Sequence, residues 1–546
     1  MRPLARLAAA LLVAAATPAP AAMRAQVPAP AATPAPLAAL FGEWRAFQRP
    51  PLVDGVPDYS AAAMAAQHRA LDGYRRRLAA LDTTGWTAAA QVDDHLVRAE
   101  MNGLDFDHRV RRPWATNPAF YVTVFASQSD QPAREGIGAE GAVELWSYHF
   151  PLAAADADRM AAGLRAVPTL LARARRDLTG DGRDLWVYGV RSVREQAAAL
   201  AALDARLVGA PGTVRADARR ARAATESFAG WLDAQIPGKR GPSGVGVANY
   251  DWYVRNVQLT PYGWAEQVTL MERELARARS MLALEEARNR GLPPLPLVAD
   301  SAEHARRFGA AVDEYVAFLR DRDVLTVRDW MAPALRARVG RYSAGPREFF
   351  TEVDYRDPEV MRTHGYHWFD LARMEREPHA SIVRRGPLLY NVFVTRTEGL
   401  ATGWEEMMLQ AGMLDRRPRA RELVYVLLAQ RAARALGDLR MHANQMTLEQ
   451  AAAFATANTP RGWLRPSGST VWGEQHLYVQ QPAYGTSYVT GKLEIDRLLG
   501  ERALALGQGF SLRGFMDAVD AAGLIPVSLI RWELTGAPDR RVIPAR

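Results

Sequence analysis

Histidines and carboxylates carry the first chemical suggestion in this chain of 546 residues, which has 10 histidines and no cysteine. In MRTHGYHWFDLARMEREPH, residues 361–379, His364 and His367 stand three apart. A helix there puts both imidazoles on one face, with Asp370 continuing around it. Two imidazoles so placed can share a metal ion, and a third ligand must come from another segment. Glu398 in TEGLATGWEEMMLQAG is the candidate. Glu405 follows seven residues later, nearly two helical turns on, and so falls close to the same line of the helix surface. Two imidazoles and one glutamate leave a fourth position for a water that the ion can make nucleophilic. The expected ion is a divalent metal such as Zn2+, and Glu405 is the candidate proton acceptor provided that the two helices cross at the right height. His442 in DLRMHANQMTLEQ suits a proton donor or oxyanion partner, and Tyr488 in PAYGTSYVTGKLEIDRLL offers a phenol to a carbonyl oxygen or phosphate. Arg384 and Arg385 could hold the carboxylate end of a peptide-like substrate. The competing account makes His364 and His367 members of a polar core layer, stacked on Trp368 or bonded to Asp370.

Other chemistries lack their residues. Without cysteine there is no thiolate nucleophile, no Cys-rich zinc site and no acylated-cysteine anchor. No G-x-S-x-G elbow and no Walker sequence occurs, and GVGVANY at 244–250 lacks the third glycine and the leading strand of a dinucleotide fingerprint. No nucleotide or organic cofactor is expected. The formal net charge of +8 is spread thinly, with no Lys/Arg block, which argues against a nucleic-acid partner.

The elements that must position these residues read as helices. Residues 1–25 look like an export leader: Arg2 and Arg6 precede an apolar run from Leu7 to Ala16, followed by small residues. That run is too short to span a bilayer comfortably, so no stable transmembrane segment is expected after processing, and the location is periplasmic or extracellular. Residues 26–38 form a Pro/Ala-rich spacer expected to stay extended. Residues 39–546 read as a single large helical domain, with PGKRGPSGVGV at 237–247 as a lobe junction or cleft loop. Capping signals recur at Ser192/Glu195, Asp300/Glu303 and Thr447/Gln450, Thr260 with Pro261 opens another helix, and Gly437 stands as a stop after 419–435. Strand patterns are brief, at Leu388–Val394 and Leu477–Val479. Gly485 and Gly491 on either side of Tyr488 permit close helix contact.

Four of these segments resemble a bacterial family, domain of unknown function 885, whose members are exported, all-helical and zinc-peptidase-related. TEGLATGWEE is similar to its Glu-Gly-Trp-Ala segment with a later Glu, DLRMHANQMTLEQAAAFA to its Asp-x-x-x-His helix entry, and PAYGTSYVTGKLEI to its Tyr-x-x-Gly helix. FSLRGFMDAVDAAGLIPVSLI is similar to its closing helix and Pro-containing turn. The resemblance implies a mainly α, large all-helical, metallopeptidase-like body with a central cleft and at most short strands. The family's metal motif is His-Glu-x-x-Pro-Gly-His-His. With the first histidine of its closing pair set at His367, its opening His and Glu fall on Met361 and Arg362, and its last His on Trp368. Carried over residue by residue, His367, Glu398, Glu405, His442, Tyr488 and Gly491 remain, and His364 supplies a ligand from a shifted position.

Two functions follow as expectations. One is a metal-dependent hydrolase of peptide or amide substrates in the cell envelope, with His364, His367 and Glu398 around a divalent ion. The other is a noncatalytic protein that keeps the cleft, has lost the ion, and binds a peptide-like or small amide ligand. The sequence carries no sign of oligomeric state.

Overall fold

The computed structural model describes residues 32–132, 138–388, 390 and 392–543. The stretch expected to be a leader, 1–25, and the first part of the expected spacer lie outside the described residues. The remainder of the spacer is not extended throughout. Helix Ala35–Phe47 begins within it, because Pro34 at the N-cap and a proline in the first turn preset the helical φ.

The body is mainly α. Among the described residues, β-strands are confined to two pairs of two-residue strands. Leu52–Val53 runs antiparallel to Val56–Pro57 with Leu52 opposite Pro57, and Val124–Phe125 runs parallel to Val143–Glu144 with Val124 opposite Val143. Among the described residues, the strand patterns expected elsewhere do not form strands. Leu477–Val479 lies inside helix Ser469–Gln480, and Val394 opens helix Val394–Gln410. A short apolar run fits a buried helix as well as a strand, and packing decides between them. No described helix is long and apolar enough to cross a membrane.

Apolar side chains gather in two main clusters. Helices Ala154–Asp177, Arg183–Arg206 and Val214–Gln235 pack together around one of them. The larger cluster joins the N-terminal helices Ala35–Phe47 and Ala88–Phe106 to nearly everything after Tyr250. The chain passes from one cluster to the other through 237–247, the stretch read as a junction. That loop is docked rather than loose. Gly244 N–H donates to Asn444 Oδ1 (2.9 Å) and Gly246 N–H to the His442 carbonyl (2.8 Å), while Ser243 Oγ accepts from the amides of Asp184 and Leu185. Ser243 thereby caps helix Arg183–Arg206, so Ser192 and Glu195 fall in its middle and cap nothing, Glu195 pairing instead with Arg191. The expected caps at Asp300 and Thr447 do form, each side chain accepting from the amide three residues on.

At the centre of the larger cluster lies helix Pro418–His442, buried on nearly all sides and packed against Trp264–Arg288, Leu448–Asn458, Ser469–Gln480 and Tyr484–Leu506. It runs through Gly437 instead of stopping there. A Cβ at Gly437 would lie 2.7 Å from Gln475 Oε1 and 3.1 Å from Ala451 Cβ, so this glycine serves close packing. The same device operates between Val394–Gln410 and Tyr484–Leu506. A Cβ at Gly491 would lie 2.0 Å from the Thr395 carbonyl oxygen, and one at Gly399 would lie 2.4 Å from Gly491 Cα. The two backbones touch, which fixes the residues one and two turns away from the crossing.

One buried carboxyl works against this packing. Glu494 is buried, its Oε1 lacks a hydrogen-bond partner, and burial together with the nearby Asp539 pushes its pKa up to about 8. Lys492 does not neutralise it, since that ammonium reaches Asp496 (2.7 Å), Glu406 (3.1 Å) and Glu274 (3.7 Å). A carboxyl with a raised folded-state pKa leaves stability untouched below the ordinary carboxyl range and removes it as pH climbs from about 4.5 to about 8. Glu494→Gln is therefore expected to stabilise the protein by roughly 3 kcal/mol at pH 9 and by almost nothing at pH 4. Chemical denaturation at the two pH values checks the difference.

Candidate metal centre

His364 and His367 are brought together, but not by one continuous helix. Helix Pro358–His364 ends at His364, Gly365 interrupts it, and Tyr366–Arg376 begins directly after. The rings still meet edge to face, with centroids 5.0 Å apart. His364 is partly open to solvent, whereas His367 is 2% exposed. Asp370, expected to extend this face, is instead bound by Arg396 (3.1 Å to each oxygen) and Arg373 (2.9 Å) in a buried ion network.

Glu398 and Glu405 share helix Val394–Gln410, and each faces one histidine. Glu398 Oε2 stands 3.3 Å from His367 Nε2, and Glu405 Oε1 stands 3.1 Å from His364 Nδ1. Glu398 Oε1 accepts from the Tyr484 hydroxyl (2.7 Å) and from the Gln131 amide (2.9 Å). Its other oxygen, Oε2, is buried without a hydrogen bond, as is His367 Nε2. Two ligands about 2.0–2.1 Å from a tetrahedral zinc lie roughly 3.3 Å apart, so this orphaned pair has the separation of two ligands on one ion. A third group completes the cluster. Asp130 presents a carboxylate oxygen such that it and one nitrogen each of His364 and His367 all lie within 4.8 Å of one another. The residues present thus fit a divalent cation through an Asp/His/His set with Glu398 at its edge. Burial lowers the pKa of His367, but the carboxylates of Glu398 and Asp130 outweigh it and hold the imidazole up at about 9. Glu398, pushed up by burial, is held down at about 2 by His367 and its other donors.

Glu405 is clamped. Arg431 donates to both of its oxygens (2.6 and 2.7 Å), and the same guanidinium stands 3.1 Å from His364 Nδ1. Burial and Arg431 together keep the His364 pKa below its usual value. Tyr488, one helical turn beyond Tyr484, lies under the guanidinium of Arg434 (4.2 Å to the ring centroid), and Arg434 pairs with Glu474. His442 is fully buried, and its ring nitrogens are taken up by the Tyr478 carbonyl (3.0 Å) and the Val245 amide (3.4 Å). Burial depresses its pKa to about 4. Arg384 is buried and spent on Asp93, Glu533 and two backbone carbonyls, while Arg385 holds the carbonyls of His379 and Ala380.

Sequence reasoning missed several residues at this centre. Arg431, Arg434 and Asp438 recur at three- and four-residue spacing ahead of the expected His442 on helix Pro418–His442, a charged stripe in an otherwise apolar run, and that pattern was there to be read. Asp438 accepts backbone amides at the start of helix Tyr484–Leu506 and so fixes the turn carrying Tyr484. Asp130 and Gln131 sit in a loop with no local signal. At the position of the family motif's glutamate, Arg362 turns to Asp354 (3.0 and 3.2 Å). A cavity of about 450 Å³ lies elsewhere, between the Glu274, Glu406 and Lys492 side chains, and the chemistry of the donors marks the centre.

A family model described as "Bacterial protein of unknown function (DUF885)" matches residues 49–367 and 366–534. The two matched stretches meet at Tyr366 and His367, where the divergent motif lies. No curated protein matches the chain. The solved structure of a candidate lipoprotein of unknown function from Shewanella oneidensis is 16% identical with a TM-score of 0.63, covering 92% of this chain and 96% of that one. The crystal structure of a candidate lipoprotein from Colwellia psychrerythraea is 15% identical with a TM-score of 0.65, covering 92% and 97%. At such identity the likeness is one of fold.

Proposed function

Because the chain belongs to the bacterial family of unknown function DUF885, we propose that it is a divergent, metallopeptidase-like hydrolase of peptide or amide bonds in the cell envelope. The observation that carries this reading is the pair His367 Nε2 and Glu398 Oε2, buried, 3.3 Å apart and without a hydrogen bond to any third group. His364, His367 and Glu398 would hold the ion, with Asp130 beside them. A divalent cation there, Zn2+ by the nature of the donors, supplies Lewis-acid polarisation of a carbonyl and a water of lowered pKa.

The chain's own groups do the rest. Glu405, clamped by Arg431, stands 3.1 Å from His364 Nδ1 and orients that imidazole from the Nδ1 side, so that Nε2 is the nitrogen that would face the ion. In this role it orients, where the spacing had suggested a proton acceptor. Tyr484 and Gln131 hold Oε1 of Glu398 so that Oε2 points at the imidazole. Tyr488 is the phenol placed to donate to an oxyanion, with Arg434 against its ring. His442 acts by holding the 237–247 loop and the Tyr478 carbonyl in place. Export is supported by the leader at 1–25 and by relatives described as lipoproteins, although this chain has no cysteine to acylate.

A second reading, the noncatalytic ligand-binding protein, is favoured by one observation. An imidazole with a pKa of about 9 is protonated at neutral pH and closes an ion pair with Glu398 without any metal. Metal analysis separates the two. The hydrolase is expected to hold about one equivalent of zinc after reconstitution, lost in His367→Ala and Glu398→Ala, and to show chelator-sensitive cleavage on a broad peptide panel. Absence of zinc from the reconstituted wild-type protein leaves the binding protein, which is expected to show ligand-dependent thermal stabilisation instead.

A further inference from the structure

Helix Arg183–Arg206 packs in the smaller apolar cluster and helix Ser469–Gln480 in the larger, and a cavity of about 230 Å³ lies where they meet. Seams of this kind are common places for small-molecule sites. Phe125, Tyr188 and Trp472 form aromatic walls, the last two stacked with ring centroids 5.2 Å apart. The charged side chains on the wall, Arg191 and Glu195, pair with each other at 3.3 Å, so the lining carries no net charge. His476, 8% exposed, lines the cavity too. The Gln480 amide donates to its backbone carbonyl (3.1 Å), but among the described residues no group bonds to either ring nitrogen. Nε2 is covered by protein, so Nδ1 is the nitrogen left to a ligand. Burial, with Arg191 nearby, holds the pKa down at about 3, and the ring is neutral. A buried polar group left unpaired is costly. The metal centre does not use it, since Glu474 and Tyr478 meet Arg434 from the opposite face of this helix. The wall also has room: Gly473 lines the cavity in mid-helix, and no atom lies within 4 Å of its would-be Cβ.

A neutral imidazole nitrogen donates or accepts according to tautomer, and a hydroxyl answers both. The volume falls below the roughly 300–1,000 Å³ of drug-sized pockets and suits a single ring. We propose that this cavity is a binding site, separate from the metal centre, for an uncharged phenol-type group, its ring against Phe125, Tyr188 and Trp472 and its hydroxyl bonded to His476. A free aromatic molecule and the tyrosine side chain of a peptide both carry that group.

Calorimetric titration of the full chain with 4-methylphenol tests this, with toluene as the ring that lacks the hydroxyl. The wild-type protein is expected to bind 4-methylphenol with a Kd of about 1 mM or tighter, and toluene about tenfold more weakly. His476→Phe keeps a ring in place and is expected to erase that preference. Gly473→Leu fills the space and is expected to abolish binding of both probes, while its better helix propensity keeps the fold at least as stable in a thermal melt. Absence of 4-methylphenol binding, binding that Gly473→Leu retains, equal affinity for toluene, or a hydroxyl preference that survives His476→Phe each overturns the proposal. N-acetyl-tyrosinamide separates the two sources. Binding tighter than that of 4-methylphenol supports the site as one for a peptide's tyrosine, and weaker binding supports it as one for a free phenol.

Discussion

Gly491→Ala is expected to unfold or severely loosen the C-terminal half of the molecule, with a loss of at least about 3 kcal/mol. Overpacking a core usually lets a side chain move aside. Here the new methyl would meet the Thr395 carbonyl oxygen at 2.0 Å and Gly399 Cα at 2.8 Å, so the obstacle is backbone on a rigid helix. Relief requires the helices Val394–Gln410 and Tyr484–Leu506 to part. Glu398 lies within one turn of Thr395 and Tyr484 within two turns of Gly491, so separation also breaks the 2.7 Å hydrogen bond between them. Gly500→Ala on the same helix is the control. No atom lies within 4 Å of its would-be Cβ, and the change is expected to be neutral or stabilising by up to about 1 kcal/mol through helix propensity. Guanidinium melts of the two variants check the contrast; a mild Gly491→Ala would mean that the helices do not touch.

Arg431→Met is expected to be the second large loss, roughly 3–5 kcal/mol, because it strands the buried carboxylate of Glu405. Both side chains are almost completely buried, and the bidentate pair offsets their desolvation only while both members are present. Glu405→Met alone strands the guanidinium and should be comparably harmful. The double substitution removes both charges at similar volume and is expected to recover most of the stability, giving a coupling energy of several kcal/mol in a double-mutant cycle. Additive single effects would contradict the pairing. The cycle also bears on the metal centre, since His364 rests on the same two groups: zinc affinity is expected to fall in all three variants, including the double one that regains stability.

Local physics explains which parts could be read in advance. A cap is a contact between a side chain and an amide three residues away, so Asp300 and Thr447 were legible, and glycines around Tyr488 spoke correctly of helix contact. Ser192 misled because the real cap of that helix, Ser243, lies about sixty residues downstream and arrives by folding. Gly437 misled because a glycine that ends a helix and one that lets another helix approach look alike in sequence. His364, His367, Glu398 and Glu405 were chosen for type and spacing, and the fold does gather them. Asp130 was hidden in a loop with no periodicity, and Arg431, though legible as part of a charged stripe, could not be paired with Glu405 because the two lie on different helices.

The sequence by itself determined the family, the helical class and the inventory of possible ligands, because residue type, short-range spacing and motif order are written along one dimension. Tertiary structure alone decided which oxygens and nitrogens are spent and which are free. Glu398 and Glu405 are chemically identical and sit on one helix, yet one turns an oxygen to His367 alone while the other is gripped by Arg431. That difference arises from how closely two glycine-faced helices cross and from what the neighbouring helix presents at the crossing, and both are properties of three-dimensional packing.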